Sequence, residues 1–280
     1  MSRIVIEAGS TEKQYWFDVW RYRELFYFLA WRDILVRYKQ TIIGIAWAVI
    51  RPLLMMLVFV FVRVYIFQAE PVGTVPSAIF IFVAQMPWLF FATALGEASN
   101  SLVVNANLVS KVYFPRLVVP ASSVITSLVD FAISLCLLGG LMLLYQFEPT
   151  WRIAYLPVFT LLGFFAALGP GLLFTALNVR FRDFRYIVPF VVQLGLYASP
   201  IFWSIDQIDA LDHAYKEQIK LLVSLNPMVG VINGFRWMFL QGQTVLYMPA
   251  IYISMASTAF FLFLGTWYFR KTEKTFADVI

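Results

Sequence analysis

The sequence is short of the residue types that build catalytic and metal sites. Its 280 residues include one cysteine, Cys136, and one histidine, His213, which excludes a disulfide framework and any zinc site made of several cysteines or histidines. No GxxxxGK[ST] segment is present, so the chain does not bind ATP through a P-loop. HExxH and GxSxG segments are missing as well. We therefore predict that the chain is not an enzyme and carries no cofactor or metal of its own.

Charged residues are also few. Asp, Glu, Lys and Arg account for 13% of the chain and hydrophobic residues for 61%, whereas a soluble domain is roughly 25% charged. This balance predicts an integral membrane protein. The net charge of +5 comes without a basic repeat interleaved with aromatic residues, so we expect no nucleic-acid partner. Residues 1–40 lack an apolar core followed by a small-residue cleavage site, and we expect no signal peptide there.

Long apolar runs predict the architecture. Each of six segments is near the roughly 20 residues that cross the hydrocarbon layer. These predicted spans are 41–67, 74–98, 118–147, 153–178, 186–203 and 246–269. We expect an all-α polytopic membrane protein with six transmembrane helices, in which residues 41–280 form one transmembrane domain. The third span is long for one perpendicular crossing, so we expect tilt or an extension beyond the bilayer.

The positions of the basic residues predict the orientation. Most of the 21 lysines and arginines lie before the first span, in the loops after spans two and four, or after the last span. These four regions share one side of the membrane if there are six spans. Lysine and arginine are enriched in cytoplasmic loops, so both termini are predicted to be cytoplasmic.

Residues 15–40 are predicted to form an amphipathic interface helix within a cytoplasmic N-terminal segment, residues 1–40. At helical spacing the rings of Trp20, Tyr27 and Trp31 fall on one line, and cations fall on a neighbouring line. Rings beside cations suit the headgroup layer of membrane lipids. A plain juxtamembrane helix is the alternative.

Two connections carry more apolar residues than a linker needs. The semi-polar segment 99–116 could form a short cytoplasmic amphipathic helix, which would need lipid or protein to cover it. Segment 204–244, predicted to be external, contains an apolar run at 228–240 that is too short to span and indicates short re-entrant helices. Gly230 and Gly234 there have the spacing that permits close helix approach, although chance explains such a pair equally well.

Few ionisable residues fall inside the predicted spans. Arg51 lies about ten residues into the first span, where it could reach back to the interface or face a water-filled passage and an anionic group; the sequence leaves both open. Asp130 is the best candidate for ion coupling of a carrier, but pairing with an arginine is the simpler alternative. Rings inside the spans could stack on sugars, or face lipid. The rings considered for such a passage are Trp47, Phe59, Trp88, Phe91 and Tyr197.

An ordered set of motifs resembles the permease subunits of type-2 ABC exporters for polysaccharides, which serve O-antigen, capsule and teichoic-acid export. The motifs cover nearly the whole chain. The matching positions are Arg23-Glu24-Leu25, Arg32-Asp33, Arg37-Tyr38-Lys39-Gln40-Thr41, Gly44, Trp47, Pro52, Asn107-Leu108-Val109, Phe114-Pro115-Arg116, Asn178-Val179-Arg180-Phe181-Arg182-Asp183, Ser199-Pro200-Ile201-Phe202-Trp203 and Asn226-Pro227-Met228.

This resemblance implies two copies of the chain around a passage, with two separate ATP-binding-cassette subunits that bind ATP and Mg²⁺ in the cytoplasm. The substrate would be a lipid-linked glycan that crosses the cytoplasmic (inner) membrane during lipopolysaccharide biosynthesis. Its diphosphate would meet Arg51 and a set of cytoplasmic gate cations: Arg32, Arg37 and Lys39. Segment 99–116 would be the coupling helix that receives the ATPase stroke. Its candidate contact residues are Asn105, Asn107, Leu108, Lys111, Tyr113, Phe114 and Arg116.

Three alternatives stay open on the sequence. A type-2 ABC exporter of a small drug or lipid would share most of these motifs. A secondary carrier would need carboxylates near the membrane midplane. A membrane enzyme that acts on lipid-linked sugars would need clustered carboxylates or a histidine at a membrane face, and the chain shows no such cluster.

Overall fold

A computed structural model describes residues 15–39, 44–68, 72–210 and 215–276. Within these ranges the chain is helical and contains no strand, which confirms an all-α polytopic membrane protein. Residues 1–14 and 40–43 and His213 lie outside these ranges, so the predictions made for them stay predictions.

The α-helices of the described residues are named here in chain order. They are α1 (Tyr15–Arg21), α2 (Arg23–Lys39), α3 (Gly44–Phe61), α4 (Ser77–Val104), α5 (Ala106–Lys111), α6 (Val118–Leu144), α7 (Leu156–Arg180), α8 (Phe184–Ala198), α9 (Lys216–Ser224), α10 (Pro227–Phe239) and α11 (Met248–Thr272). A π-helical turn, Val62–Ile66, continues α3. Short 3-10 turns lie at Trp151–Tyr155, Ile205–Ala210 and Glu273–Thr275.

Five helical segments are long and apolar enough to cross a membrane. They are Ala46–Ile66, Ser77–Val104, Val118–Leu144, Trp151–Arg180 and Met248–Thr275. The fifth predicted span corresponds to α8, whose 15 residues reach only about 22 Å at 1.5 Å per residue. The helix ends before Ser199-Pro200, because a proline disfavours helical backbone at the residue before it. The count of six transmembrane helices therefore stays a prediction.

α4 forms the centre of the bundle. Residues 79–84 expose at most 1% of their surface, and the helix packs against α3, α6, α7 and α10. A helix that is apolar on every side suits either lipid or a protein core, and here neighbouring helices cover it, since 83% of its most apolar stretch is buried. α3 and α11 lie at the periphery and leave most of their apolar side chains uncovered.

Close backbone contact joins α7 to α11. A Cβ atom added at Gly265 would lie 2.1 Å from the carbonyl oxygen of Gly169, and one added at Gly169 would lie 2.6 Å from the backbone nitrogen of Leu262. No side chain fits at either position. Small residues let membrane helices approach until their backbones touch, and this pair fixes the α7–α11 crossing.

A second apolar cluster lies apart from the bundle core, at one end of the helices. It joins the ends of α4 and α11 to α2, α5 and the segment that enters α6. Its members include Leu29, Leu102, Val109, Phe114, Leu117, Phe269 and Phe276.

The predicted re-entrant segment 204–244 contains a buried helix. All of α10 except Trp237 is buried, and α10 packs on α4, α7 and α11. Gly230 lies against Ser254 and Gly234 against the ring of Phe159. The two glycines therefore permit two separate close contacts rather than one helix crossing.

Two buried arginines hold the connection between α8 and α9. Arg236 donates to the carbonyl oxygens of Trp203 at 2.5 Å and Ile201 at 2.8 Å, and Arg63 donates to that of Phe202. Their guanidinium carbons lie 4.1 and 4.2 Å from the ring centroid of Phe80. Cation–π attraction and three carbonyl acceptors offset part of the cost of burying these charges.

Candidate functional site

Two crevices flank α3. The first, of about 360 Å³, lies between α2, α3, α4 and α6. The second, of about 390 Å³, lies between α3, α4 and α8. Arg51 and Glu97 border both crevices, and so do Leu89 and Thr93. Most of the remaining lining is apolar, so the crevices present a few polar groups on hydrophobic walls, as ligand sites usually do.

A charge cluster closes one end of the first crevice. Arg37 donates to Asp130 Oδ2 at 2.5 Å and to Glu97, and the Tyr38 hydroxyl donates to Asp130. The Ser127 hydroxyl donates to Glu97 Oε2 at 3.3 Å. The cluster thus ties α2 to α4 and α6. Asp130 pairs with an arginine, the simpler of the two interpretations that the sequence allowed.

The cluster changes the acid–base properties of α2. Burial alone would lower the pKa of Arg37, but the Glu97 and Asp130 carboxylates outweigh it and raise that pKa. Burial raises the pKa of Tyr38, and the neighbouring Asp130 carboxylate raises it further. Both side chains therefore keep their protons at physiological pH, and the Arg37 charge is committed to the two carboxylates.

Arg51 is in a different position. Its side chain is exposed, and in the described part of the chain it makes no hydrogen bond or ion pair. It projects from α3, one residue before Pro52, at the border of both crevices. A guanidinium group with free donors next to apolar walls can bind an anionic group such as a phosphate.

Two of the five predicted passage rings border a crevice. Trp47 lines the first crevice and is 59% exposed, and Trp88 lines the second although only 3% of it is exposed. The other three line neither. Phe59 packs on Phe202 with ring centroids 4.4 Å apart, Tyr197 stacks on the same ring at 6.4 Å, and Phe91 lies 5.3 Å from Trp88.

The predicted gate cations have different surroundings. Arg32 donates to Asp33 at 2.7 Å and to Asn105 Oδ1 at 2.8 Å, so it joins α2 to the junction of α4 and α5. Arg37 belongs to the charge cluster. Lys39 is exposed and lines neither crevice. Of this set, Arg37 alone lines a crevice.

The predicted coupling segment contains less separate helix than expected. α4 continues to Val104, and only the six residues of α5, Ala106–Lys111, form a distinct helix. The candidates at its surface are exposed: Asn107, Lys111 and Tyr113. The others hold the segment in place: Asn105 accepts from Arg32, Leu108 and Phe114 pack in the second apolar cluster, and Arg116 binds Glu273.

Sequence reasoning missed several polar residues of the site. Thr93, Asn100 and Gln193 line the second crevice. Asn178, which the sequence indicated only as part of a motif, donates to Ser99 O at 2.9 Å and to Asn100 Oδ1 at 3.1 Å. Single polar residues inside apolar spans were the available signal.

Among the described residues, no group of three His, Cys, Asp or Glu side chains could hold a metal ion.

Known proteins resemble the chain along most of its length. Residues 24–240 match the family model described as ABC-2 type transporter. An O-antigen export system permease protein RfbA from Myxococcus xanthus is 28% identical over 264 residues, which cover 94% of this chain and 98% of the relative. A protein of the same name from Klebsiella pneumoniae is 26% identical over 256 residues, 89% of this chain and 92% of the relative. The chain belongs to the ABC-2 type transporter family.

Proposed function

We propose that this chain is the channel-forming permease subunit of an ATP-driven exporter that moves a lipid-linked, O-antigen-like polysaccharide across the cytoplasmic membrane. The observation that carries the proposal is the nearly full-length similarity to two proteins named O-antigen export system permease. The crevices around Arg51 agree with such a substrate, because they combine a cation with aromatic and aliphatic walls.

Within this proposal, the polar and apolar parts of the substrate contact different residues. The diphosphate of the carrier lipid binds the free donors of Arg51, since guanidinium groups recognise phosphate through paired hydrogen bonds. The lipid chain lies on the apolar walls. The C–H faces of sugar rings stack on Trp47 and Trp88, which border the two crevices. Arg37 stays bound to Glu97 and Asp130 and positions α2.

The energy source is a separate polypeptide in this proposal. Two ATP-binding-cassette subunits dock at α5 and bind the ATP and Mg²⁺ themselves. α5 offers exposed polar residues, and the neighbouring Val104, Val112 and Tyr113 are 79%, 50% and 66% exposed. Exposed apolar side chains next to polar ones are typical of a protein interface.

A second copy of the chain completes the passage in this proposal. One chain leaves both crevices partly open. The exposed apolar side chains of α3 and α8, including Leu54 and Phe190, provide surface for a homodimer or for lipid.

Both termini are cytoplasmic in this proposal. The second apolar cluster joins α2, α5 and the end of α11, and Arg116 is hydrogen-bonded to Glu273. The N-terminal helices, the coupling segment and the residues after the last span therefore share one end of the molecule. These parts also carry ten of the 21 lysines and arginines, which are enriched on the cytoplasmic side.

Depletion of the protein tests the function. We expect completed lipid-linked glycan to accumulate in the cytoplasmic leaflet while glycan at the cell surface disappears. A drug or small-lipid exporter would leave glycan display unchanged, and a membrane enzyme would leave an incomplete glycan instead. Co-purification of an ATP-binding-cassette subunit with the tagged chain distinguishes an ABC exporter from a secondary carrier.

A further inference from the structure

The residues that follow α11 turn back onto the segment between α5 and α6. Arg116 donates its backbone N–H to Glu273 Oε1 at 2.8 Å, and its guanidinium Nη1 donates to the backbone oxygen of Glu273. The two residues are 157 positions apart in the chain. One residue at the exit of the coupling segment is thus held through both its main chain and its side chain.

An apolar anchor accompanies these hydrogen bonds. Phe276 is 1% exposed, and its ring lies edge-on to Phe269 with centroids 5.2 Å apart. It belongs to the second apolar cluster together with Val109 of α5 and Phe114. The end of the described chain and the coupling segment therefore share one small core.

The N-terminal helix α1 closes the same contact. Tyr15 is partly buried beside Glu273, and burial raises the pKa of its hydroxyl, with a further contribution from the Glu273 carboxylate. The guanidinium of Arg270 lies 4.6 Å from the centroid of the Tyr15 ring. Three segments that are distant in the sequence thus meet at Glu273.

α5 needs such support because it has only six residues. Isolated helices shorter than about 12 residues are marginal in water, so tertiary contacts must hold it. α5 is joined to α4 through Asn105, so without contacts on its other side a force applied to α5 would reach α4 only through this junction and would not reach α6.

We propose that Glu273 and Phe276 are positioning residues that clasp the coupling segment, so that movement of the ATPase subunits is transmitted to α4 and α6. This inference rests on the proposed function and assigns a role in transport to the chain after α11. Loss of the clasp uncouples ATP hydrolysis from export, while the ATPase remains bound through the exposed surface of α5.

The test compares Glu273→Ala and Phe276→Ala with Glu273→Gln, which retains a carbonyl oxygen for the Arg116 N–H. Lys274→Ala is the matched control, because Lys274 is exposed in the same 3-10 turn. Each full-length variant is purified in nanodiscs with the ATPase that accompanies it. Hydrogen exchange of residues 106–116 and ATP hydrolysis are measured on this complex. Glycan export is measured in cells that produce the same variant.

We expect amide exchange in residues 106–116 to be faster by about tenfold in Glu273→Ala, the effect of losing a charge-assisted hydrogen bond of about 1.4 kcal/mol. Exchange in α10 should not change. Export per ATP hydrolysed should fall in Glu273→Ala and Phe276→Ala, with the ATPase still bound, and Glu273→Gln should restore most of it. Lys274→Ala should match the wild type.

Two results separate the clasp from the proposed function. Unchanged exchange and unchanged export per ATP in both alanine variants would overturn the clasp, whether or not the chain is a glycan permease. A wild-type chain that binds no ATPase would overturn the proposed function. In that case the exchange measurement alone would decide whether residues 273–276 hold α5.

Discussion

Arg37 and Arg51 border the same crevice but differ in what surrounds their guanidinium groups. Arg37 is bound by two carboxylates, whereas Arg51 has no partner within the described residues and is exposed. An arginine already neutralised by two acids has little attraction left for a phosphate. The unpaired one keeps its charge and its five donors for a ligand.

We predict that Arg51→Ala lowers surface glycan by at least about tenfold, the cost of one lost charge-assisted contact of about 1.5 kcal/mol. The amount of protein in the membrane should stay constant, because Arg51 supports no other described residue. Immunoblots of membranes and staining of the cell-surface glycan measure the two quantities. Arg51→Lys, which keeps the charge, should recover part of the export, and full export in Arg51→Ala would remove the residue from the substrate path.

Arg37→Met should act on stability instead. It leaves Glu97 and Asp130 without their shared cation, and unpaired polar groups in partly buried sites cost about 1–3 kcal/mol. We expect a lower unfolding temperature in detergent, and a smaller added loss when Glu97→Gln is combined with it, because the two side chains interact. Arg185→Ala, at an exposed arginine in the first turn of α8, is the control and should leave the unfolding temperature unchanged. Independent, additive losses would show that the cluster contributes no coupling.

At this scale the sequence identified Arg37, Arg51 and Asp130 of the first crevice, but neither Glu97 nor which arginine binds Asp130. Arg51 and Asp130 stood out because charges are rare in apolar spans, and Arg37 because it lies in a motif of the family that the sequence resembles. Glu97 and Asp130, the partners of Arg37, are 60 and 93 positions away from it in the chain. Only the packing of α2 against α4 and α6 brings the three side chains together. For the same reason the sequence could not show that Arg32 joins Asn105.

Among the helices, the α7–α11 crossing depends on two glycines that touch through their backbones. We predict that Gly265→Ala destabilises the protein by about 1–3 kcal/mol or more, since an added methyl group in a close-packed site forces the backbones apart. Its Cβ would meet a carbonyl oxygen that cannot move aside. The yield of monodisperse protein and its unfolding temperature measure the effect.

Gly140→Ala is the matched control, because a Cβ there meets nothing within 4 Å. It should be neutral or slightly stabilising, as alanine suits a helix better than glycine by about 1 kcal/mol. Equal behaviour of the two variants would mean that the α7–α11 crossing is looser than described.

The sequence predicted where the long helices lie and was less accurate where they end. Apolar length predicts a span, and five of the six predicted spans correspond to long helices close to the expected positions. α8 is shorter because Ser199-Pro200 ends it, although the apolar run continues to Trp203. α4 is longer than predicted, and the hydroxyls of Ser99 and Ser101 near its end donate to carbonyls of their own helix, which satisfies them without ending it. Composition alone does not distinguish such a helical end from a loop.

On the scale of the whole molecule, its two ends differ in chemistry. One end brings together α2, α5 and the end of α11 around the second apolar cluster. The other carries the 3-10 turn Ile205–Ala210 and α9, where Lys220 is bound to Asp209 and Glu217. Lysine and arginine are more numerous at the first end, which predicts that this end lies on the cytoplasmic side of the membrane and the second end on the opposite side.

Cysteine labelling tests this orientation. With Cys136 replaced by alanine, single cysteines are placed at Lys111 on α5 and at Gln218 on α9, both of which are exposed. In intact spheroplasts an impermeant maleimide should modify Gln218→Cys and not Lys111→Cys, and permeabilisation should expose both. Both side chains are exposed in the described chain, and labelling of Lys111→Cys after permeabilisation shows that its thiol can react, so the contrast reports orientation. Labelling of Lys111→Cys from outside would show that the protein has the opposite orientation. In that case α5 could not bind a cytoplasmic ATPase.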